Sequence, residues 1–186
     1  MDSNSLKDIF ECQRSLIELI QEKERRLGYA PPHPREMDFL VREHQDWFRT
    51  LAWYFVEEVA EYELSPIQDR PNELSDCLHF MVELCVFAGL DHTCLDHHMA
   101  VLSMEEAPPI PQLSQACTYL GSAVNMLKMK PWKESPQDSL DLPEFRRRVS
   151  LALMEVMMFI LNQGLDALSL YSGKNKVNRD RTQDGY

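Results

Sequence analysis

Apolar positions recur at helical spacing over most of the chain. Leu6, Phe10, Gln13, Leu16, Ile17 and Ile20 fall in line with the helical period, which predicts a first helix ended by Gly28 and by Pro31, Pro32 and Pro34. A second helix is expected over 37–64, broken by Pro66 and Pro71. Asn72 can cap a third helix that runs to Gly89, and Asp91 can cap a fourth. Pro108, Pro109 and Pro111 mark a central linker, after which helical patterns return over 112–129 and 143–163. A short last helix is expected to reach Tyr171. No run of four to eight residues alternates apolar and polar between turn signals, so strands are not expected. The pattern therefore predicts an all-α bundle of six to seven helices, one domain over residues 1–186.

A weak internal repeat organises the bundle. An apolar helix ending in Gly89-Leu90-Asp91 is echoed 75 positions later by one ending in Gly164-Leu165-Asp166, and each half reads as a helical hairpin. At that offset Arg148 stands where Glu73 stands and Leu151 where Asp76 stands, so the second half lacks acids that the first carries.

Composition narrows the function. The 186 residues include 19 basic and 30 acidic side chains, a net charge of -11 that disfavours long nucleic acid as a partner. No apolar run approaches the ~20 residues of a membrane span. Residues 1–5 show no basic region followed by an apolar stretch, and the five cysteines are odd in number and widely spaced. An intracellular, cytoplasmic protein with buried thiols is expected.

The chemistry gathers on the second and third helices. Trp47, Leu51, Tyr54, Glu58 and Glu61 follow steps of four, three, four and three, one helical stripe that turns from aromatic to acidic. The next helix opens with a second acidic pair, Glu73 and Asp76, and the short proline-containing loop between them makes the helices antiparallel neighbours. Four carboxylates can then converge. Such a cluster is costly unless protonated or neutralised, and oxygen-only ligands suit Mg²⁺, with Mn²⁺ as a substitute. Glu57 points about 100° away from Glu58 on an ideal helix and is peripheral at most.

These residues resemble the all-α nucleoside triphosphate pyrophosphohydrolases, the superfamily of MazG and the dimeric dUTPases. The C-terminal sequence, from Gly173-Lys174-Asn175 through Asn178 and Arg181 to Gly185-Tyr186, is similar to the dimeric dUTPase signature Gly-Lys-Asn-x-x-Asn-x-x-Arg-x-x-x-Gly-Tyr. Asp76-Cys77-Leu78-His79-Phe80 and Gln13-Arg14-Ser15-Leu16 extend the likeness over most of the chain. The resemblance implies hydrolysis of a nucleoside triphosphate to monophosphate and pyrophosphate, and a homodimer is expected because helices 37–64 and 143–163 are apolar around most of their circumference, more than one small core can cover. It implies Mg²⁺ on Glu58, Glu61, Glu73 and Asp76, and substrate contacts from Gln13, Lys174, Asn178, Arg181 and Tyr186. Glu58 and Glu61 are the candidate catalytic pair, with Glu58 preferred as the group that takes a proton from water. Residues 173–186, polar and without apolar periodicity, are expected to be a mobile tail that closes over the phosphates. Two departures stand out: Ile17 replaces the Asn of the family's uracil motif, and the Lys-Trp-Trp-Lys element after the first acidic pair is missing. The resemblance favours dUTP; a dCTPase or a broader dNTP pyrophosphatase is the alternative, and a non-enzymatic interaction protein is the rival of a different class.

Other features read more plainly. His92, Cys94, Asp96, His97 and His98 are zinc-ligand types without paired spacing, Arg146-Arg147-Arg148 is expected to be a solvated helix start, and Cys77 a packed thiol.

Overall fold

A computed structural model describes residues 3–95, 110–127 and 140–184 of the chain. Among them are six α-helices and no strand: α1 (Ser3–Arg26), α2 (Arg42–Leu64), α3 (Arg70–Phe87), α4 (Leu113–Val124), α5 (Leu142–Asn162) and α6 (Ala167–Gln183). Short 3₁₀ turns lie at Pro34–Glu36 and His92–Leu95. No single helix among the described residues is long and apolar enough to cross a membrane.

The two expected hairpins form, α2 against α3 and α4 against α5, and α3 also packs on α5 to join them. α1 and α6 lie against each other and against α3, which makes α3 the central helix. Its sequence explains this: Leu74, Cys77, Leu78, Met81, Val82, Leu84 and Cys85 are buried around most of its circumference. Phe48 of α2 and Phe145 of α5 meet at 5.2 Å between ring centroids, with Phe39 at 4.7 Å from Phe145. Each such ring taken out of water contributes about 1.5–3 kcal/mol to the core.

The repeated Gly-Leu-Asp is a repeated piece of structure. Gly89 and Gly164 both have φ of +72°, and both close a helix by the same pair of bonds. Leu90 N–H donates to Cys85 C=O (2.9 Å) and Gly89 N–H to Val86 C=O (3.1 Å), just as Leu165 N–H donates to Ile160 C=O (3.2 Å) and Gly164 N–H to Leu161 C=O (2.9 Å). Each aspartate then opens the next turn of chain: Asp91 accepts from Thr93 N–H at 2.9 Å, and Asp166 caps α6 through Ser169 N–H at 2.8 Å.

Several boundaries differ from expectation. α2 begins at Arg42 rather than 37, because residues 38–40 form a turn in which Asp38 accepts from Leu40 N–H and its own N–H donates to His44 Nδ1. Pro71 does not break α3 but sits in its first turn, where its missing N–H costs no helical bond. Asp91 starts only a 3₁₀ turn, and the chain from residue 96 to 109 is outside the described residues. α4 ends at Val124 rather than 129.

The larger correction concerns the last helix, which continues past Tyr171 to Gln183. Polar composition hid it, because its anchors are buried polar groups rather than an apolar stripe. The Tyr171 hydroxyl donates to Gln13 Oε1 of α1 at 2.5 Å and accepts from Asn175 Nδ2 at 3.3 Å, while Arg179 Nε donates to Asn175 Oδ1 at 2.9 Å. His79 of α3 stacks on Tyr171 with centroids 4.0 Å apart and bonds its backbone carbonyl through Nε2 at 3.1 Å.

Candidate metal centre

Glu58 lies on α2 and Glu73 and Asp76 on α3, and the tight α2–α3 hairpin brings one carboxylate oxygen of each within 4.8 Å of the others. Oxygens on opposite sides of one Mg²⁺ lie about 4.2 Å apart, twice the metal–oxygen distance, so small side-chain rotations close the set. Three of the four expected ligands thus converge. Glu61 remains exposed one turn along α2 from Glu58, near enough for its charge to act on both Glu58 and Glu73. Glu57 points elsewhere, as expected, and accepts from Trp53 Nε1 at 2.7 Å.

The electrostatics are those of a site short of positive charge. Burial first, then Asp76 and Glu61, push the Glu58 carboxyl up to about 7. Burial also raises Asp76 and Glu73, the latter with help from Asp76 and Glu61. The main opposing influence is Lys174 of α6, whose ammonium donates to Asp76 Oδ2 at 2.7 Å with both side chains largely buried. The donor chemistry fits a hard divalent cation: all oxygen, all anionic, and already drawing one cation from the protein.

α6 brings the other predicted residues to this place by its helical period. Tyr171, Lys174, Asn178 and Arg181 fall at i, i+3, i+7 and i+10, one stripe. Lys174 touches the cluster, and Arg181 is near enough to lower Asp76. Asn178 is half-buried, and its backbone carbonyl accepts from Thr182 Oγ1 at 2.8 Å. Tyr186 lies outside the described residues. Gln13 is not at the cluster's surface; at 1% exposure its amide oxygen is engaged by Tyr171. His79, Tyr171 and Asn175, which form this supporting network, were not singled out individually from sequence, although His79 and Asn175 lie inside the motifs that carry the resemblance.

The aromatic half of the stripe lines a cavity of about 170 Å³ between α1, α2 and α3, with Trp47, Leu51, Tyr54, Phe80 and Phe87 in its walls. Tyr54 and Phe80 contact each other at 5.6 Å. Tyr54 precedes Glu58 by one turn of α2 and Phe80 follows Asp76 by one turn of α3, so the cavity ends about 6 Å along the helices from the acids.

Among the described residues, the remaining candidates do not assemble a second centre. Asp96, His97 and His98 are outside the described residues, and His92 and Cys94 lie in a 3₁₀ turn. All five cysteines are free, and burial pushes the Cys77 thiol far up, which leaves it inert. Of the three arginines, Arg147 pairs with Glu144 at 2.6 Å at the exposed start of α5, as expected. Arg148 also pairs with Glu144, at 2.7 Å, while reaching Ser122 C=O at 3.1 Å, and Arg146 reaches back to Ala88 C=O at 2.8 Å.

No known family model, curated protein or solved structure matches this chain.

Proposed function

We propose that the protein is a Mg²⁺-dependent nucleoside triphosphate pyrophosphohydrolase that releases a nucleoside monophosphate and pyrophosphate. The observation that carries the reading is the meeting of three carboxylates, Glu58, Glu73 and Asp76, with the Lys174 ammonium of α6 at the end of an aromatic-walled cavity. An anionic cluster alone would repel a triphosphate. A cation held by it, beside Lys174 and Arg181, gives phosphate oxygens a positive seat, and the cavity one helical turn away suits a planar base.

Glu58, Glu73 and Asp76 would hold Mg²⁺, with Glu61 completing the set from the surface. The ion supplies charge neutralisation and a more acidic water when bound. Glu58, at the junction of the aromatic stripe and the acidic cluster, is the carboxylate on this chain best placed to take a proton from water, and Glu61 stands next to it. Lys174 leaves Asp76 for the triphosphate, and Arg181 clamps it from the same face of α6. The C-terminal signature assigns Tyr186 a contact with the nucleotide. The resemblance to dimeric dUTPases makes dUTP the family substrate and a homodimer the assembly.

The test is product analysis with dUTP, dCTP, dTTP, dATP and dGTP in Mg²⁺ and in EDTA. Monophosphate and pyrophosphate formed only with Mg²⁺ support the reading. Failure of all five substrates removes it.

A further inference from the structure

The two Gly-Leu-Asp caps are alike in backbone and differ in what covers them. At Gly164 the place of the missing Cβ is open space, whereas at Gly89 it would fall 2.7 Å from Nη2 of Arg146. The Arg146 guanidinium therefore lies on the bare Gly89 backbone, and its Nε–H donates to Ala88 C=O at 2.8 Å. A cation at a helix C-terminus is favourable in itself. The second cap nevertheless closes α5 by the same pair of bonds with no side chain over its glycine, so ending the helix does not require an arginine.

Anchoring through Nε leaves the two Nη groups of Arg146 without a protein partner among the described residues. Arg146 lines a cavity of about 630 Å³ between the end of α3, the start of α5 and the 34–40 turn, a volume within the range of small-molecule sites. Ala88, in its wall, is about 18 Å along the helix direction from Asp76, which separates this cavity from the acidic cluster.

The lining is of two kinds. Met37, Phe39, Leu40, Phe87, Leu140 and Leu142 are apolar. Phe39 and Phe87 already pack on other rings, while Leu40 is half-exposed. The charged members are Arg146, Arg35 and Asp38. Asp38 accepts from Leu40 N–H, and Arg35 reaches Glu18 at 3.7 Å through an exposed pair that constrains it little. Two guanidiniums against one carboxylate leave the lining one positive charge in excess.

We propose that this cavity binds an aliphatic monocarboxylate, its carboxylate paired with the two Nη groups of Arg146 and its chain laid on Leu40, Leu140 and Leu142. A carboxylate matches an arginine fork through two parallel N–H···O bonds. One negative charge answers the excess of one, whereas a phosphate dianion brings a second charge to face Asp38. The fork is already oriented by Ala88 C=O, so little ordering is needed on binding. Met37 and the leucines present flexible aliphatic surface that adapts to a chain. The site does not depend on the nucleotide reading.

The experiment is calorimetric titration of the full chain at pH 8, free of divalent cations, with octanoate, hexanoate, acetate, octanol and octyl phosphate. Each CH₂ taken out of water should tighten binding about fourfold, so octanoate should bind about tenfold more tightly than hexanoate and acetate should not bind measurably. Octanol lacks the anion and octyl phosphate carries two charges; both should bind at least tenfold more weakly than octanoate. Arg146→Met should weaken octanoate at least tenfold, and Arg146→Lys, which keeps the charge without the fork, should restore only part. Leu40→Glu places a repelling charge at an exposed position outside the helices and should weaken octanoate at least tenfold with Tm unchanged; it decides the matter if Arg146→Met fails to fold. Glu58→Gln, in the acidic cluster, should bind octanoate as wild type does. Octanol or octyl phosphate bound as tightly as octanoate, no dependence on chain length, unchanged octanoate affinity in folded Arg146→Met or in Leu40→Glu, or lost affinity in Glu58→Gln would overturn the proposal. So would a wild-type protein that binds no octanoate, which would make Arg146 a cap of α3 and nothing more.

Discussion

Replacing Glu58 by Gln should stabilise the metal-free protein, because the cluster holds this carboxylate against its own electrostatics. Its carboxyl is raised from 4.5 to about 7, first by burial and then by Asp76 and Glu61. At about 1.4 kcal/mol for each tenfold change in proton affinity, the unscreened cost of ionising it in the folded chain is about 3.4 kcal/mol. Water reaches part of the group, and screening reduces the figure to about 1–2 kcal/mol. The sign comes from linkage: the folded state holds this proton more tightly than the unfolded chain, so the contribution to stability is full below pH 4.5 and is lost as pH rises through about 7. Gln mimics the protonated carboxyl at every pH. Urea denaturation in EDTA at pH 8 should show Glu58→Gln more stable than wild type by about 1–2 kcal/mol, and the difference should vanish near pH 4. Saturating Mg²⁺ should invert the order, adding about 2.7 kcal/mol to wild type at a hundred times Kd and little to the variant. A Gln variant that is less stable than wild type in EDTA at pH 8, or that Mg²⁺ stabilises equally, would refute the argument.

Lys174→Met removes the ammonium that now sits on Asp76 and should tighten Mg²⁺ binding about tenfold at pH 8 while weakening triphosphate binding, both read by calorimetry; unchanged Mg²⁺ affinity would show that Lys174 does not compete for the cluster. Tyr171→Phe leaves the buried Gln13 and Asn175 amides without their shared partner and should cost about 1–3 kcal/mol by urea unfolding, whereas a Gln13 held ready for substrate would be little affected. A homodimer should form in sedimentation velocity at micromolar concentration through the exposed face carrying Trp53, Leu64 and Ile67, and Leu64→Glu with Ile67→Glu should shift it to monomer. A wild-type monomer under those conditions would remove the dimer.

How much was legible depended on whether the signal was local. Helices α1 to α5 were readable because apolar periodicity, prolines and the two Gly-Leu-Asp caps are each written within a few residues. The acidic cluster was readable for the same reason, since two i, i+3 pairs on a hairpin can hardly avoid meeting. Glu61 lies outside the group of three whose oxygens meet, because spacing on one helix fixes a face but not which rotamer reaches a shared point. The full length of α6 was not legible: Tyr171, Asn175 and Lys174 stabilise it through α1 and α3, which no window along 173–183 contains. α5 looked apolar enough for an interface, yet its own chain covers it, with Leu161 the large apolar side chain left exposed. Glu24 of α1 and Glu83 of α3 line one cavity from 59 positions apart, and the local trace of that was one acid in an apolar run of α3.

The proposed reaction is metal-dependent cleavage between the α- and β-phosphates. Phosphorus NMR of the reaction with dCTP and dUTP in Mg²⁺ tests it most directly, with EDTA and Asp76→Asn as controls. Wild type with Mg²⁺ should give pyrophosphate and nucleoside monophosphate, with no reaction in either control. Orthophosphate and nucleoside diphosphate as products, turnover that persists in EDTA, or wild-type rates in Asp76→Asn would contradict it.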